Sequence, residues 1–114
     1  MLLERLDRGV LEKYNGPYRN PWFLVAKKAT RAYRLINAAI KINSVSLRDT
    51  NIPLSVDKFS EEFAGYYYAS LIDFFSSYDQ LTLDIRSRDI TAFMTPLRLL
   101  RITTVPQGAT NSIA

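Results

Sequence analysis

Asp73 is the residue best placed to do chemistry in this chain. It lies in Ser70-Leu71-Ile72-Asp73-Phe74-Phe75-Ser76-Ser77-Tyr78-Asp79-Gln80, between two apolar pairs and after the aromatic run Tyr66-Tyr67-Tyr68. A carboxylate is costly to bury unless it is paired or bound to a cation. Asp73 is therefore either a strand-end carboxylate at the edge of the core or one placed there to work. The chain contains no Cys and no His. That excludes thiol catalysis, imidazole acid–base chemistry, Cys/His zinc sites and disulfides together. Any metal ligands must be oxygens, which favours Mg²⁺, Mn²⁺ or Ca²⁺.

The cationic residues are unevenly spread. Net charge is +4 over 114 residues, but residues 1–60 carry +6 and residues 61–114 carry −2. Eight basic residues and no acidic one lie between Lys13 and Arg48. Such a run points to an anionic partner, nucleic acid or nucleotide, or to a solvated basic face. Lys27, Lys28, Arg31 and Arg34 are its centre, and Tyr14, Tyr18 and Trp22 interleave with Arg19 just before it. Aromatic rings so placed either stack on unpaired bases or pack the fold.

These residues need elements to hold them. With 47% hydrophobic and 23% charged residues, the chain reads as one domain or part of one. No apolar run approaches the roughly 20 residues of a membrane helix, and the N-terminus lacks the plan of a signal peptide. An intracellular site, cytoplasmic or nuclear and not secreted, is compatible with the missing cysteines. Residues 2–13 have the apolar spacing of a short amphipathic helix. Tyr14 to Pro21 is turn chemistry. Trp22–Ala26 and Tyr33–Ile36 read as a hairpin with a cationic tip. Asn37 to Asn43 reads as a helical turn capped by Asn37. Arg48 to Leu54 is a polar loop entering Pro53. Ser55 is the expected N-cap of a helix with Val56, Phe59 and Phe63 on its apolar face and Gly65 as its stop. Tyr66 to Ile72 is the expected strand into Asp73, followed by a turn or short helical bend through Asp79. Gln80–Ile85, Thr91–Thr95 and Leu99–Val105 are further strand candidates, with turns at Arg86–Asp89 and Pro96–Arg98. From Pro106 to Ser112 a new helix is expected to begin.

The order of these pieces resembles the fingers and palm of a reverse transcriptase, most closely that of a gypsy-type LTR retrotransposon. Asn20-Pro21-Trp22-Phe23-Leu24-Val25 with Lys27-Lys28, then Tyr33-Arg34-Leu35-Ile36-Asn37, resembles the fingers hairpin. Leu71 to Gln80 resembles the first catalytic motif of the palm, and Thr91-Ala92-Phe93-Met94-Thr95-Pro96 the strand after it. Val105-Pro106-Gln107-Gly108-Ala109-Thr110-Asn111-Ser112 resembles the second palm motif. The resemblance implies an α+β fold, right-hand polymerase fingers and a partial palm, truncated before the third palm motif. Residues 1–114 would be a single partial domain, about 14–65 fingers-like and about 66–114 palm-like with returning fingers strands.

The resemblance also gives each residue a role. Two-metal nucleotidyl transfer clamps the attacking and leaving oxygens between divalent ions about 3.5–4 Å apart. Asp73 would be a catalytic carboxylate bridging Mg²⁺ (or Mn²⁺) ions, with the backbone carbonyl of Phe74 as a further metal ligand. Tyr78 would pack under the sugar and exclude a 2′-hydroxyl. Lys28 and Arg34 would grip the triphosphate, Arg by a bidentate fork and Lys as a point charge. The hairpin tip is a residue shorter than in some retroviral relatives, so Lys27 could replace Lys28. Gln107 would contact the nucleotide or template. Gly108 would let template backbone approach, and Trp22 would stack on a template base.

The implied partners are RNA or DNA template-primer, dNTP and the remainder of a Pol polyprotein, with no membrane. Departures from the family accompany the matches. The paired aspartates of the third palm motif are absent, so the chain alone is expected to be inactive as an RNA-directed DNA polymerase. Ser77 stands where the family often has Gly. Arg98 stands in a turn where Gly is usual, and a positive φ there would cost about 1 kcal/mol. The competing readings are a non-catalytic nucleic-acid-binding module that keeps the basic fingers, and a non-functional retrotransposon remnant.

Overall fold

A three-stranded antiparallel sheet holds the core of the protein, in a computed structural model that describes residues 1–49 and 55–112. Strand β5 (Leu99–Ile102) lies between β1 (Leu11–Lys13) and β4 (Phe93–Met94). Leu11 pairs with Ile102, and Leu100 faces Lys13 on one side and Phe93 on the other. Leu11, Phe93 and Leu100 are fully buried, with Leu2, Leu6, Trp22, Leu35 and Ile102 packed around them. Helix α1 (Leu2–Asp7) contributes Leu2 and Leu6 to that cluster, as i, i+4 spacing on one helix face requires. The helix expected over 2–13 therefore stops at Asp7. The chain turns at Gly9, and residues 11–13 become a strand because β5 offers them a partner.

The cationic hairpin forms as expected. β2 (Trp22–Ala26) pairs with β3 (Tyr33–Asn37), with Val25 opposite Arg34 and Ala26 opposite Tyr33. Its tip is closed by a hydrogen bond from the Lys27 amide to the Ala32 carbonyl, 2.9 Å. Its base is tied to the central sheet by side chains that donate to backbone carbonyls. Asn20 Nδ2 donates to Ile90 O and Ala92 O at 2.6 and 3.0 Å. Trp22 Nε1 donates to Met94 O at 2.5 Å, and Asn37 Nδ2 to Thr91 O at 2.7 Å. Asn37 is thus the buried last residue of β3 and not a helix cap. The helix that follows, α2, starts later, at Ile40, and ends at Val45 with no side-chain cap.

The middle of the chain departs most from expectation. Residues 50–54, with most of the polar loop into Pro53, lie outside the described residues. Helix α3 (Val56–Phe63) forms, but Ser55 makes no side-chain cap bond, and Val56, Phe59 and Phe63 are exposed. The strand expected over Tyr66–Ile72 is absent, and its side chains point into solvent, with Tyr67 99% and Leu71 96% exposed. Strand propensity measures fit to a paired, half-buried pleated surface, and nothing among the described residues pairs with this stretch. Gln80–Ile85 likewise forms only one bridge, Thr82 with Thr104, between short 3-10 turns at Ser77–Gln80 and Ile85–Ser87. A third such turn covers Asp89–Thr91, which shortens the next expected strand to β4.

Two turn expectations are also revised. Arg98 does not have a positive φ. Its turn is held by Thr95, whose amide donates to Arg98 O at 3.1 Å and whose hydroxyl accepts from the Leu97 and Arg98 amides. No glycine is needed there. Residues 106–112 form turns and not the start of a helix. Gly108, at φ +93°, sits in a conformation that L side chains rarely adopt, although a Cβ there would meet nothing within 4 Å. The radius of gyration is 17.3 Å, against about 13 Å for a compact chain of similar length.

Candidate functional site

Three separate stretches meet at one polar groove of about 410 Å³. The hairpin supplies Lys27, Tyr33 and Arg34, the turn after the aromatic run supplies Asp73, Phe74 and Ser76 to Asp79, and the last loop supplies Gln107. Arg5 of α1 lines it as well.

The turn is shaped by its own backbone. Ser76 adopts a left-handed conformation at φ 47°, and the Asp79 amide donates to its carbonyl at 2.9 Å. Gln80 Nε2 donates to Phe75 O, fastening the turn from the other side. Beyond it, Leu83 N donates to Thr103 O and Val105 N to Leu81 O, each at 2.9 Å. These bonds anchor the turn to the chain after β5 and bring Gln107 beside it. Asp73 therefore sits where an unanchored segment meets an anchored one.

The expected site residues divide accordingly. Asp73, Phe74, Arg34, Tyr78 and Gln107 line the groove together. Of the hairpin lysines, Lys27 lines it and Lys28 does not. Asp73, Arg34 and Lys27 are exposed, and Tyr78 is half-buried. Trp22 and Gly108 lie elsewhere. The Trp22 ring is tilted 56° against Phe93 at 5.8 Å between centroids, and its indole N–H is taken by Met94 O. The Gly108 carbonyl accepts from Asn43 Nδ2 at 2.9 Å, and Asn43 Oδ1 accepts from the Thr110 amide at 2.8 Å.

A divalent metal pair needs several carboxylates in one place. The groove offers Asp73 and Asp79, and Asp79 is paired with Arg5 at 3.7 Å. No group of three or more potential metal ligands occurs among the described residues. These residues do not fit a two-metal site by themselves.

Residues that sequence reasoning passed over complete the site. Arg5, Arg34, Asp79 and Gln107 also line a smaller recess of about 50 Å³ that adjoins the groove. Asn37 lines it too, and its buried Oδ1 has no hydrogen-bond partner among the described residues. The recess is roomy enough for a water and has the polar partners a water needs. Arg5 gave no sign of this in sequence, because it reads as one more charge on an amphipathic helix 74 positions before Asp79.

A second charged cluster braces the core. Arg101 Nε donates to Glu12 Oε1 at 2.5 Å and its Nη1 to Asp89 Oδ1. Arg88 lies 3.5 Å from the same Glu12 oxygen. Burial works against the Arg101 charge, but the Glu12 and Asp89 carboxylates outweigh it and raise the guanidinium pKa. This network joins β1, β5 and the 3-10 turn before β4, three stretches apart in the sequence.

No helix among the described residues is long and apolar enough to cross a membrane. No family model matches the chain. The chain is similar to the retrovirus-related Pol polyprotein from transposon 297 of Drosophila melanogaster, 26% identical over 115 residues that cover 97% of this chain and 11% of that protein. It is also similar to the retrovirus-related Pol polyprotein from transposon 412 of Drosophila melanogaster, 32% identical over 105 residues that cover 87% of this chain and 8% of that protein. The chain thus spans about a tenth of the length of these relatives. Both likenesses support an origin of the chain in a retrotransposon Pol polyprotein.

Proposed function

We propose that the chain is the nucleotide-gripping part of an RNA-directed DNA polymerase, of gypsy-type reverse transcriptase kind, and that it does not catalyse alone. The observation that carries this reading is the groove in which Lys27, Arg34, Asp73, Tyr78 and Gln107 meet. They come from three stretches far apart in sequence. Phosphate oxygens would lie against Lys27 and Arg34, the guanidinium offering paired donors and the ammonium a mobile charge. The Tyr78 ring would give the sugar a flat wall that leaves no room for a 2′-hydroxyl. Asp73, open to solvent at the groove, would be one carboxylate of a metal-binding set that also needs Mg²⁺ or Mn²⁺ and carboxylates from further along a Pol polyprotein.

The test joins this chain to the downstream part of the transposon 412 Pol polyprotein and measures primer extension on an RNA template. Extension that disappears with Asp73→Asn and weakens with Arg34→Met is the expected result. Extension that survives Asp73→Asn would show that the carboxylate assignment is wrong.

The lack of a three-carboxylate group among the described residues favours one second reading, a non-catalytic module that binds single strands through the basic hairpin. It expects binding that weakens steeply with salt and is indifferent to dNTP and Mg²⁺. Filter binding with and without both separates the two.

A further inference from the structure

We propose that Arg5 is a third anion ligand of the groove, held in reserve by Asp79 until a polyphosphate draws it away. The inference rests on reading the groove as a triphosphate site.

Arg5 is held in place by its helix. Its helix is fixed to the core by Leu2 and Leu6, so the base of the side chain does not wander. Arg5 lines both the groove and the recess. The Arg5 and Asp79 side chains are mostly buried, 28% and 18% exposed. A charge so enclosed needs a strong partner. The one it has is poor, because Arg5 Nη1 stands 3.7 Å from Asp79 Oδ1. That is beyond hydrogen-bond distance and engages one nitrogen of a fork that carries five donors.

Asp79 for its part is fixed, because its amide is bonded to Ser76 O within the turn. The pair is therefore a weak contact between two well-anchored elements. Beside it lies a recess of about 50 Å³, where the buried Asn37 Oδ1 also lacks a partner among the described residues. The guanidinium has room to turn, and an acceptor waits there for one of its N–H groups.

Lys27 and Arg34 line the same groove. A polyphosphate lying against them would offer Arg5 several charged oxygens in place of one distant carboxylate. Phosphate accepts from a guanidinium by two parallel bonds, which the observed Asp79 geometry does not provide. Asp79 would then compete with the ligand for Arg5 and also repel it.

This competition makes the two partners opposite in effect, which a purely bracing ion pair would not be. The experiment is calorimetric titration of the 114-residue chain with inorganic tripolyphosphate. Arg5→Met is expected to weaken binding about fivefold, and Asp79→Asn to tighten it about threefold, the modest size reflecting partial solvent exposure. Arg5→Lys, which keeps charge but loses the fork, should fall between wild type and Arg5→Met. If Arg5→Met does not fold, Arg5→Lys and Asp79→Asn still decide the matter.

Weakening by Asp79→Asn as large as that by the Arg5 variants would mean that the pair only braces the turn, and would overturn the proposal. So would affinity unchanged by either Arg5 variant, or no binding by the wild-type chain. If Arg5-dependent binding is found but the polymerase chimera above does not extend a primer, the polymerase reading fails and the Arg5 assignment stands.

Discussion

Ser76 is the only non-glycine residue with a positive φ among those described, at 47°. It precedes the turn that carries Tyr78 and Asp79 to the groove. The left-handed region crowds Cβ against the following carbonyl, at about 1–2 kcal/mol for an L residue. The family pattern that the sequence resembles often has glycine one position later, where this chain has Ser77. Ser76→Gly is expected to raise stability by about 0.5 kcal/mol once the greater freedom of glycine in the unfolded chain is deducted. Ser76→Val should lower it by about 1 kcal/mol or more. Urea midpoints measure both. At Asp84, the side-chain hydrogen bond from Arg86, then the backbone bond from the Arg86 amide, depress the carboxyl pKa below 3.8. A depressed carboxyl contributes stability above its unfolded value and loses it as pH falls through the folded one. Asp84→Asn should therefore be less stable than wild type near neutral pH, with the difference closing in acid below pH 3.8. Denaturation across pH checks this. The Asp84 side chain is exposed, so the difference should also shrink in high salt.

At the scale of elements, the hairpin was legible and its mooring was not. Two β-prone runs around a Lys-rich turn announce β2 and β3, because pairing between neighbours in sequence is a local matter. The bonds of Asn20, Trp22 and Asn37 to carbonyls at residues 90–94 reach across more than fifty residues, and no local pattern encodes them. Trp22→Phe removes one of these bonds, keeping an aromatic ring against Phe93 but losing the indole donor and part of the ring volume packed on the core. It is expected to cost about 1 kcal/mol and to speed amide exchange across β2 and β3 relative to β5. Exchange followed by mass spectrometry reads the second effect, which a uniform loss of packing would not give.

For the whole molecule the decisive feature is an apolar surface without a partner. Phe59, Phe63, Tyr67, Leu71, Ile72, Phe74 and Phe75 are all exposed, while the fully buried core is small, built on Leu11, Phe93 and Leu100. A β-prone aromatic stretch with one charge and no proline is a template for pairing between chains. The chain is expected to self-associate at micromolar concentration. The double variant Ile72→Lys, Phe75→Lys should suppress that association and leave the unfolding midpoint within about 0.5 kcal/mol of wild type, because exposed positions contribute little to folding. Sedimentation velocity and urea unfolding together test it. An equal loss of stability would mean that these side chains pack on the fold.

The sequence by itself determined the elements that close on near neighbours, namely α1, the cationic hairpin and α3, together with the residue types any chemistry here must use. Without Cys or His, only carboxylates, hydroxyls, amides and cations remain. Through the resemblance of its motifs to a reverse transcriptase, it also put Asp73, Tyr78, Arg34 and Gln107 forward among the candidates. Tertiary structure alone decided that these four share a groove, that Lys27 lines it where Lys28 does not, and that Arg5 and Asp79 meet at its edge. It also decided that Tyr66–Ile72 stays unpaired among the described residues. The reason is common to all of these. A side chain's own propensity acts over a few residues, whereas a strand, a groove or an ion pair exists only when a distant stretch supplies the other half.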